Sequence, residues 1–469
     1  MARPKKTAAA PQADKEELLK KALVPEDEQP YTVPSNWCWV RLGTICNFER
    51  GITFPASSKE ETATHNNIAC LRTANVQEEL DIEDLIYINK DYIRDRHAKL
   101  ICKDDIVMSI ANSRELVGKT SYIHDVPSIP MTFGAFLMVL RANIHIRKYI
   151  YYFLRLEFIL GNLAIKSSQT VNIANISTSA LNGYKTPFPP LPEQQRIVER
   201  IESLFSKLDA AKEKIQNALD GCELRKAAIL KKAFNGELTE QWRKEQNEDK
   251  TAWRNYTLKE SCEIGSGGTP SRKHPEYYIG NIPWVKTGEI NWNEIVYTEE
   301  KINEEAIANS SAKIYEPGAV LVAMYGMGMT RGRAAMLNIP AATNQAVCAL
   351  IPKSHLHNKY LYYYFMFNYW KFRNESKGGN QLNLSAKVIA QFQIQCPSVK
   401  EQKEIVRLLD GFFDKERTAK EASEQALEQI EYIKKSILAK AFRGELGTND
   451  PQDESSLVLL KQIIETGNS

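Results

Sequence analysis

The sequence predicts an α+β protein with two mixed α/β domains joined by two long helices, which form an antiparallel coiled coil with pseudo-two-fold symmetry. The main observation is a duplication, because residues 189–238 align without a gap with residues 397–446, and 22 of the 50 positions are identical. The second observation is an apolar seam of period 3.5 in each copy, and the third is a weaker similarity between residues 36–185 and 252–393. A duplication of this size indicates that both halves do related work about a common axis.

The seam predicts the long helices. Positions that step alternately by four and three residues are apolar in the first copy except for Arg225, and in the second copy except for Glu416 and Ser423. This spacing is typical of a coiled coil. A single helix from Pro192 to Ala233 would be about 60 Å long. Pairing the two copies would bury both seams; the alternative is that each helix lies separately on its neighbouring domain.

The segments between the duplicated copies have the composition of short buried strands bounded by turns. Aromatic runs at residues 149–153 and 360–367 have helical spacing and predict core packing. The predicted domains are a tail with a short helix (1–31), the first mixed domain (32–188), the central long helix (189–246), the second mixed domain (247–396), the C-terminal long helix (397–446) and a tail with a short helix (447–469). We expect the two short terminal helices to pack together.

The composition is that of an ordinary soluble protein, with 43% hydrophobic and 25% charged residues and a net charge of +3. No stretch is long and apolar enough for a membrane span, and the N-terminus has no apolar core of the signal-peptide type. The eight cysteines are scattered without a Cys-x-x-Cys pair, which argues against a disulfide framework or a zinc ribbon. These features predict a cytoplasmic protein.

No motif for catalysis, a metal or a cofactor stands out. The run Val117–Thr120 resembles the end of a phosphate-binding loop, but Ser113 occupies the position of the required upstream glycine. The glycines between Gly326 and Gly332 miss the dinucleotide-binding spacing, and no amino-methyltransferase motif occurs. The seven histidines have no metal-ligand spacing. We therefore predict no catalytic residue, no bound metal and no cofactor on this chain.

Several motifs resemble those of the specificity subunit of type I restriction–modification systems. They are residues 189–198 (PPLPEQQRIV), residues 233–238 (AFNGEL) with their twin at 441–446 (AFRGEL), and residues 22–31 (ALVPEDEQPY). The order of domain, helix, domain and helix also matches, over nearly the whole chain. Residues 396–400 (CPSVK) depart from the first opening motif, so the first turn of the second helix is expected to differ locally.

The resemblance implies that each mixed domain is a target-recognition domain that reads one half of a bipartite, asymmetric DNA target. It also implies that the coiled coil sets the unread spacer and docks two methyltransferase subunits, which are joined by restriction subunits with motor and nuclease activity. S-adenosylmethionine, ATP and Mg²⁺ would then bind to those partner subunits, and this chain would contact double-stranded DNA without being catalytic.

Candidate DNA-contacting residues are loop side chains with directional hydrogen-bond donors or acceptors, which base reading requires. In the first domain they are Arg72, Thr73, Asn75, Asn112, Arg114, Lys119, Ser167 and Gln169. In the second they are Lys286, Thr287, Glu289, Tyr325, Thr330, Arg331, Arg333, Lys377, Asn380 and Gln381.

Two other classes of function remain open. The chain could be a coiled-coil assembly scaffold that binds only proteins, or a stand-alone nuclease or methyltransferase. The missing motifs argue against the enzymes. Salt-dependent affinity for duplex DNA would separate a DNA reader from a scaffold.

Overall fold

The computed structural model describes residues 12–93, 96–125, 129–142, 146–169, 173–326, 329–374 and 384–466. It divides into two units. The first unit comprises Met1–Lys214 with Ala426–Ser469, and the second comprises Ile215–Gln425.

The first unit is built on short strands and on one aromatic helix, α4. Its helices are α1 (Gln12–Ala22), α2 (Leu42–Ile45), α3 (Arg96–Lys99), α4 (Arg147–Ile159), α5 (Asn162–Ile165), α6 (Thr178–Asn182) and the start of α7 (Leu191–Asp220). Its strands are β1 (Cys38–Arg41), β2 (Cys46–Arg50), β3 (Asn67–Leu71), β4 (Ile86–Asn89), β5 (Ile106–Ser109), β6 (Ala111–Asn112), β7 (Thr120–Tyr122), β8 (Met131–Phe133), β9 (Leu137–Ala142), β10 (Ser168–Gln169), β11 (Ala174–Asn175) and β12 (Lys185–Phe188).

Four small sheets form from these strands. The largest has the order β2-β9-β5-β7 and is antiparallel, and β4-β3-β8 contains the parallel pair β3–β8. Strands β1 and β12 close the domain, and β10-β11-β6 lies beside the β5–β7 hairpin. The core is continuous from β5 and β9 through α4 to the start of α7 and the end of the last long helix.

The second unit repeats this plan. Its helices are α8 (Cys222–Phe234), α9 (Glu240–Gln246), α10 (Leu258–Ser261), α11 (Glu304–Ala308), α12 (Asn358–Phe367), α13 (Tyr369–Asn374) and α14 (Ala386–Ala390). Its strands are β13 (Arg254–Thr257), β14 (Cys262–Ser266), β15 (Ile282–Val285), β16 (Glu294–Ile295), β17 (Glu300–Ile302), β18 (Ile314–Tyr315), β19 (Val320–Ala323), β20 (Ala334–Leu337), β21 (Ala341–Thr343), β22 (Val347–Pro352) and β23 (Gln393–Cys396).

The strand orders of the two units correspond. The sheet β14-β22-β19-β20 matches β2-β9-β5-β7, and β17-β15-β21 matches β4-β3-β8 with the same parallel pair. The closing pair β13–β23 matches β1–β12. Strands β16 and β18 extend the sheets of the second unit only. The predicted strands at residues 105–110, 137–140 and 318–324 are confirmed as β5, β9 and β19.

The long helices α7, α8 and α15 (Val399–Phe442) occupy the duplicated segments. The prediction of one helix from Pro192 to Ala233 was wrong in one respect, because a turn at Gly221 separates α7 from α8. Gly221 nevertheless keeps right-handed helical dihedral angles, with φ −72° and ψ −10°. The chain therefore continues in the same helical sense through this turn.

The second long helix begins at the position equivalent to the first, although its opening motif differs. Helix α7 begins at Leu191 and α15 at Val399, which are 208 residues apart. The predicted local difference is a cap: the Ser398 hydroxyl accepts a hydrogen bond from the backbone N–H of Glu401 at 3.2 Å. The first copy has Pro190 at that position. A serine cap thus replaces the proline without moving the start of the helix.

The closing motifs end each helix and pack it onto an aromatic helix. Gly236 and Gly444 have φ of +78° and +73°, the left-handed conformation that favours glycine at a helix end. The Phe442 ring lies 5.1 Å from Tyr149 in the first unit. The Phe234 ring lies 5.1 Å from Tyr360 in the second. Both tyrosines are fully buried, which confirms the prediction that the aromatic runs form core.

The long helices contact one another within each unit, and in the first unit the contacts show that the two segments run in opposite directions. In the first unit, Lys434 Nζ lies 2.6 Å from Asp209 Oδ1, and Lys212 Nζ lies 3.0 Å from Glu431 Oε1. Residue numbers therefore rise on one helix as they fall on the other. In the second unit, the Arg225 guanidinium makes a two-pronged contact with Glu416 on α15.

A buried carboxylate joins the opening of α7 to the residues that follow α15 in the first unit. Glu193 is fully buried and accepts hydrogen bonds from Trp37 Nε1 at 2.6 Å and Asn449 Nδ2 at 2.8 Å. Burial raises the pKa of this carboxyl, and the bond from Trp37 opposes that shift. The donors are neutral.

The equivalent carboxylate in the second unit, Glu401, has a cationic partner. Trp253 Nε1 donates to Glu401 Oε2 at 2.9 Å, and Thr239 Oγ1 donates to Oε1 at 2.7 Å. Arg243 Nη1 donates to the same Oε1 at 2.5 Å. Each unit thus ties a tryptophan, the opening of one long helix and the chain beyond the end of another to one glutamate.

The terminal helices pack as predicted. Helix α16 (Ser456–Thr466) contacts α1, and Lys15 Nζ lies 3.1 Å from Glu465 Oε1. Leu460 and Ile463 of α16 join the core of the first unit. Among the described residues, no helix is both long and apolar enough to cross a membrane.

Candidate nucleic-acid interface

The β5–β7 hairpin of the first unit presents a loop of residues 110–119. Gly118 has φ +88°, and its N–H donates to the Ser109 carbonyl at 2.8 Å. The Ser109 N–H donates to the carbonyl of Lys119 at 2.9 Å, which fixes Lys119 at the end of the loop. Lys119 Nζ donates to Oε1 of Gln77, so this cation is held beside the loop that follows β3.

The loop after β3 holds three predicted residues, and the side chains of two of them, Arg72 and Asn75, contact groups within the same unit. The Arg72 guanidinium Nη2 lies 2.7 Å from Asp84 Oδ2. Asn75 is fully buried, and its side-chain amide donates to the carbonyls of Asp81 and Asp84, both at 3.0 Å. Thr73 begins a short 3-10 turn, Thr73–Asn75, and is half-buried. The structure gives Asn75 an internal role; whether these residues contact DNA stays a prediction.

The segment after α5 lies beside the hairpin. Strand β11 pairs with β10 and β6, so that Ala174 lies opposite both Asn112 and Gln169. Ser167 donates its hydroxyl proton to a carbonyl of its own turn at 2.6 Å. Arg114 is exposed at the loop tip. The structure therefore brings the hairpin candidates and the Ser167–Gln169 candidates to one edge of the first unit.

The β19–β20 hairpin of the second unit repeats the geometry of the first. Gly332 has φ +86°, and its N–H donates to the Ala323 carbonyl at 2.8 Å, while the Ala323 N–H donates to the Arg333 carbonyl at 2.9 Å. Arg333 thus occupies the position of Lys119. Its Nη1 donates to Asn291 Oδ1 at 2.5 Å. Tyr325 lies exposed at the start of the same loop.

The loop after β15 also holds its predicted residues by internal contacts. Lys286 Nζ lies 2.9 Å from Glu299 and 3.1 Å from Glu300, and these hydrogen bonds, that to Glu299 first, raise the pKa of Lys286. Glu289 accepts hydrogen bonds from the backbone N–H groups of Lys286 at 2.6 Å and Glu299 at 3.0 Å. Thr287 begins the 3-10 turn that corresponds to the one in the first unit.

The remaining candidates of the second unit lie around the hairpin tip. Thr330 and Arg331 are half-buried. Burial and the neighbouring Arg373 lower the pKa of Arg331, whose carbonyl accepts a hydrogen bond from Arg373 Nη1 at 2.9 Å. The other three candidates lie outside the described residues: Lys377, Asn380 and Gln381.

Sequence reasoning missed the two amides that hold the hairpin cations. Gln77 and Asn291 are 214 residues apart, as are their partners Lys119 and Arg333. The signal that could have found them is the constant offset of 214 residues between equivalent positions in the loops after β3 and β15. Each unit therefore sets one cation and one amide side by side on exposed loops. Such groups can donate to base edges or phosphates.

The described part of the chain offers no group of three or more His, Cys, Asp or Glu side chains arranged to hold a metal ion. The buried cysteines have raised pKa values because burial disfavours the thiolate, as for Cys348, whose pKa is raised to about 12. Such thiols are poor nucleophiles at neutral pH.

Comparisons with known proteins agree with this arrangement. The family model of the type I restriction modification DNA specificity domain matches residues 34–220 and 250–429. The type I restriction enzyme EcoKI specificity subunit of Escherichia coli (strain K12) is 26% identical over 434 residues, which are 88% of this chain and 90% of that protein. The StySPI specificity subunit of Salmonella potsdam is 24% identical over 429 residues, with coverage of 88% and 90%.

Two solved structures have a similar fold. The HsdS subunit from Thermoanaerobacter tengcongensis matches with a TM-score of 0.60 at 21% identity, covering 89% of this chain and all of that one. A chain from work on complex assembly and conformational transition of the type I R-M system matches with a TM-score of 0.66 at 20% identity, with coverage of 89% and 100%. Because the family model spans well over half of the sequence, this protein belongs to the family of type I restriction–modification DNA specificity subunits.

Proposed function

We propose that each unit reads one half of a bipartite, asymmetric double-stranded DNA target. The observation that carries this proposal is the pair of equivalent hairpins with different side chains, Lys119 beside Gln77 and Arg333 beside Asn291. The same fold used twice, with different side chains on its loops, suits two domains that recognise unlike DNA sequences. Arginine, lysine and amide side chains are the donors and acceptors that discriminate base edges in the major groove.

The long helices would form an antiparallel coiled coil with pseudo-two-fold symmetry, which sets the spacer and docks two methyltransferase subunits. Their equivalent starting residues, Leu191 and Val399, support this proposal, as do the ion pairs within each unit. A paired rod resists bending, so two readers attached to it would stay at a constant separation that matches whole turns of the duplex.

Chemistry would belong to partner subunits. Methyltransferase subunits would bind S-adenosylmethionine and methylate adenine, and restriction subunits would use ATP and Mg²⁺. The chain itself would act as a non-catalytic reader in the cytoplasm. Its contribution is to place the duplex relative to those active sites.

The experiment that tests the reading is a genome-wide map of methylated adenines in cells that contain this chain and its partner genes. Lys119→Ala should relax or weaken recognition at one half of the target only, and Arg333→Ala at the other half only. A lost bidentate base contact corresponds to about a tenfold to hundredfold loss of discrimination at that base. Lys244→Ala is the control, because Lys244 lies on the exposed face of α9 and not in these loops.

Three outcomes would contradict the proposal. They are an uninterrupted methylation motif, changes in both halves from either single variant, and motifs that stay unchanged in both variants. If the assembled complex has no salt-dependent affinity for duplex DNA, the alternative of a scaffold that binds only proteins is favoured.

A deletion tests the spacing role. Removing residues 209–215 together with residues 428–434 takes one heptad from each helix and removes the Asp209–Lys434 and Lys212–Glu431 pairs together. A heptad is about 10 Å long, which corresponds to about three base pairs of duplex. The unread spacer should shorten by about that amount. An unchanged spacer in a folded, active variant would exclude the helices as the determinant.

A further inference from the structure

Three polar residues interrupt the apolar seams of the long helices, and the structure brings two of them together in the second unit. Arg225 is the polar exception in the first copy, and Glu416 is one of two in the second. Arg225 Nε donates to Glu416 Oε1 at 2.8 Å, and Nη2 donates to Oε2 at 2.9 Å. This is the bidentate arrangement in which arginine holds a carboxylate most firmly.

The guanidinium is also fixed to the backbone at the end of α7, the preceding helix. Arg225 Nη2 donates to the Ala218 carbonyl at 3.0 Å. A Cβ built at Gly221 would lie 2.8 Å from Arg225 Nη1, so a larger residue at 221 would have to displace the guanidinium. The turn between α7 and α8 therefore leaves room for the guanidinium, which has a carbonyl on one side and a carboxylate on the other.

The carboxylate is the better buried partner, because the Glu416 side chain is 12% exposed while that of Arg225 is 45% exposed. The hydrogen bond from Arg225 lowers the pKa of Glu416, and a hydrogen bond from Cys222 acts in the same direction. Glu416 is therefore held in its charged form beside the seam. Without Arg225, this mostly buried carboxylate would lose both of its guanidinium hydrogen bonds and would keep only the weak thiol donor of Cys222.

The Arg225–Glu416 pair forms a polar layer in the apolar seam. This layer has no equivalent in the first unit. A shift of 208 residues converts Arg225 into Ile433 and Glu416 into Leu208, both apolar. A charged residue therefore interrupts each seam at a position where the other copy has an apolar residue.

The asymmetry distinguishes correct from incorrect pairing. If two first-copy helices from separate chains paired antiparallel in the same register, Arg225 would face Leu208 instead of Glu416. If two second-copy helices paired in this way, Glu416 would face Ile433. A slip by one heptad would place Arg225 opposite residue 409 or 423, a leucine or a serine. Each alternative leaves a charge without its partner.

We propose that the Arg225–Glu416 layer determines which helices pair. It favours pairing of the first-copy helix with the second-copy helix of the same chain, in one register. It disfavours pairing of identical helices from two copies of this chain. Duplicated helices need such a device, because residues shared by both copies cannot tell the copies apart. A single polar layer in an apolar seam is a known way for coiled coils to fix partner and register at some cost in stability. This inference does not depend on which DNA sequence the protein reads.

The test converts the layer to its apolar equivalent. The double variant Arg225→Ile with Glu416→Leu carries the residue types found at 433 and 208, and the full-length chain is co-expressed in two copies with different affinity tags. We expect the wild type to recover little of the second tag. The apolar variant should recover at least about tenfold more, because like helices then pair without burying a charge. Dimer content by light scattering should rise in parallel.

A second set of variants, which reverses the two charges, tests the same proposal if the apolar double variant fails to fold. Arg225→Glu alone sets two carboxylates against each other, whereas Arg225→Glu with Glu416→Arg restores opposite charges and should return both monomer content and melting temperature. The matched control is Lys212→Gln with Glu431→Gln, since that ion pair also joins the two long helices but is exposed on both sides. It should leave copy exchange at the wild-type level.

The proposal is overturned if the apolar variant folds and exchanges copies no more than the wild type, or if the exposed control raises exchange equally. A loss of melting temperature without any gain in exchange would assign the layer a stabilising role only, which also contradicts the proposal.

Discussion

Arg243→Ala should be among the most destabilising single substitutions in the second unit. The Arg243 and Glu401 side chains are 7% and 1% exposed, and Nη1 lies 2.5 Å from Glu401 Oε1. Arg243 also donates to the Gly236 carbonyl at 2.5 Å, directly after the end of α8. The substitution would therefore remove the cation that neutralises the buried carboxylate and also leave a helix-end carbonyl without this donor.

The size of the effect follows from the burial of the pair. Breaking a buried ion pair by removing one partner costs about 3–5 kcal/mol, since the remaining charge stays desolvated. Trp253 and Thr239 still donate to Glu401 after the substitution, which favours the lower end of that range. Arg243→Lys should fall between the alanine variant and the wild type, because lysine keeps the charge but not the two-pronged geometry.

Urea-induced unfolding followed by tryptophan fluorescence would measure this cost. Trp253 is a local reporter, because its indole donates to Glu401 and lies 5.8 Å from the Arg243 guanidinium. Lys244→Ala is the control: its ion pair with Glu240 lies on the same helix and is more than half exposed, so its loss should cost less than about 1 kcal/mol. If Arg243→Ala and Lys244→Ala were equally mild, the buried pair would not be a main stabilising contact.

Local sequence signals predicted the frame of the protein well, for a physical reason. Period and capping are properties of neighbouring residues, so the starts at Leu191 and Val399 and the ends near Gly236 and Gly444 could be inferred without a structure. Because the segment is duplicated, each inference made for one copy also applied to the other. The break at Gly221 was not predicted: the apolar seam continues across it, and its dihedral angles stay in the right-handed helical region.

Contacts between distant residues could be inferred only in part. The identity of Glu193 and Glu401 was visible in the duplication, but their partners were not. Asn449 lies 256 residues from Glu193, and nothing local marks it as a donor. In the same way, the seam revealed Arg225 and Glu416 as exceptions without indicating that they would form an ion pair with each other.

The candidate interface was likewise predictable in its local features but not in its tertiary contacts. The sequence placed polar residues on equivalent loops, and the hairpins at Gly118 and Gly332 do correspond. Side-chain partners within those loops depend on tertiary contacts, which is why the sequence did not reveal that Asn75 is buried or that Lys286 is held by two glutamates. Base identity depends further on the geometry of a DNA complex.

Two further predictions concern the first unit. Because burial raises the pKa of Glu193 above its ordinary value, the folded state binds a proton that the unfolded state has lost as pH rises past about 4.5. The contribution of Glu193 to stability is thus fully present below that pH and is lost as pH rises through the folded pKa. Glu193→Gln, which cannot titrate, should gain in melting temperature relative to the wild type as pH rises above about 4.5; a difference that stays constant with pH would contradict this. Gly118→Ala should destabilise by about 1–3 kcal/mol, because the φ of +88° strains an alanine and its Cβ would lie 2.8 Å from the Leu163 side chain. Gly161→Ala shares a positive φ of +75° but meets no atom within 4 Å, so it should cost less than Gly118→Ala. Equal losses in chemical denaturation would mean that backbone strain alone, without the clash against Leu163, explains the requirement for glycine at the hairpin.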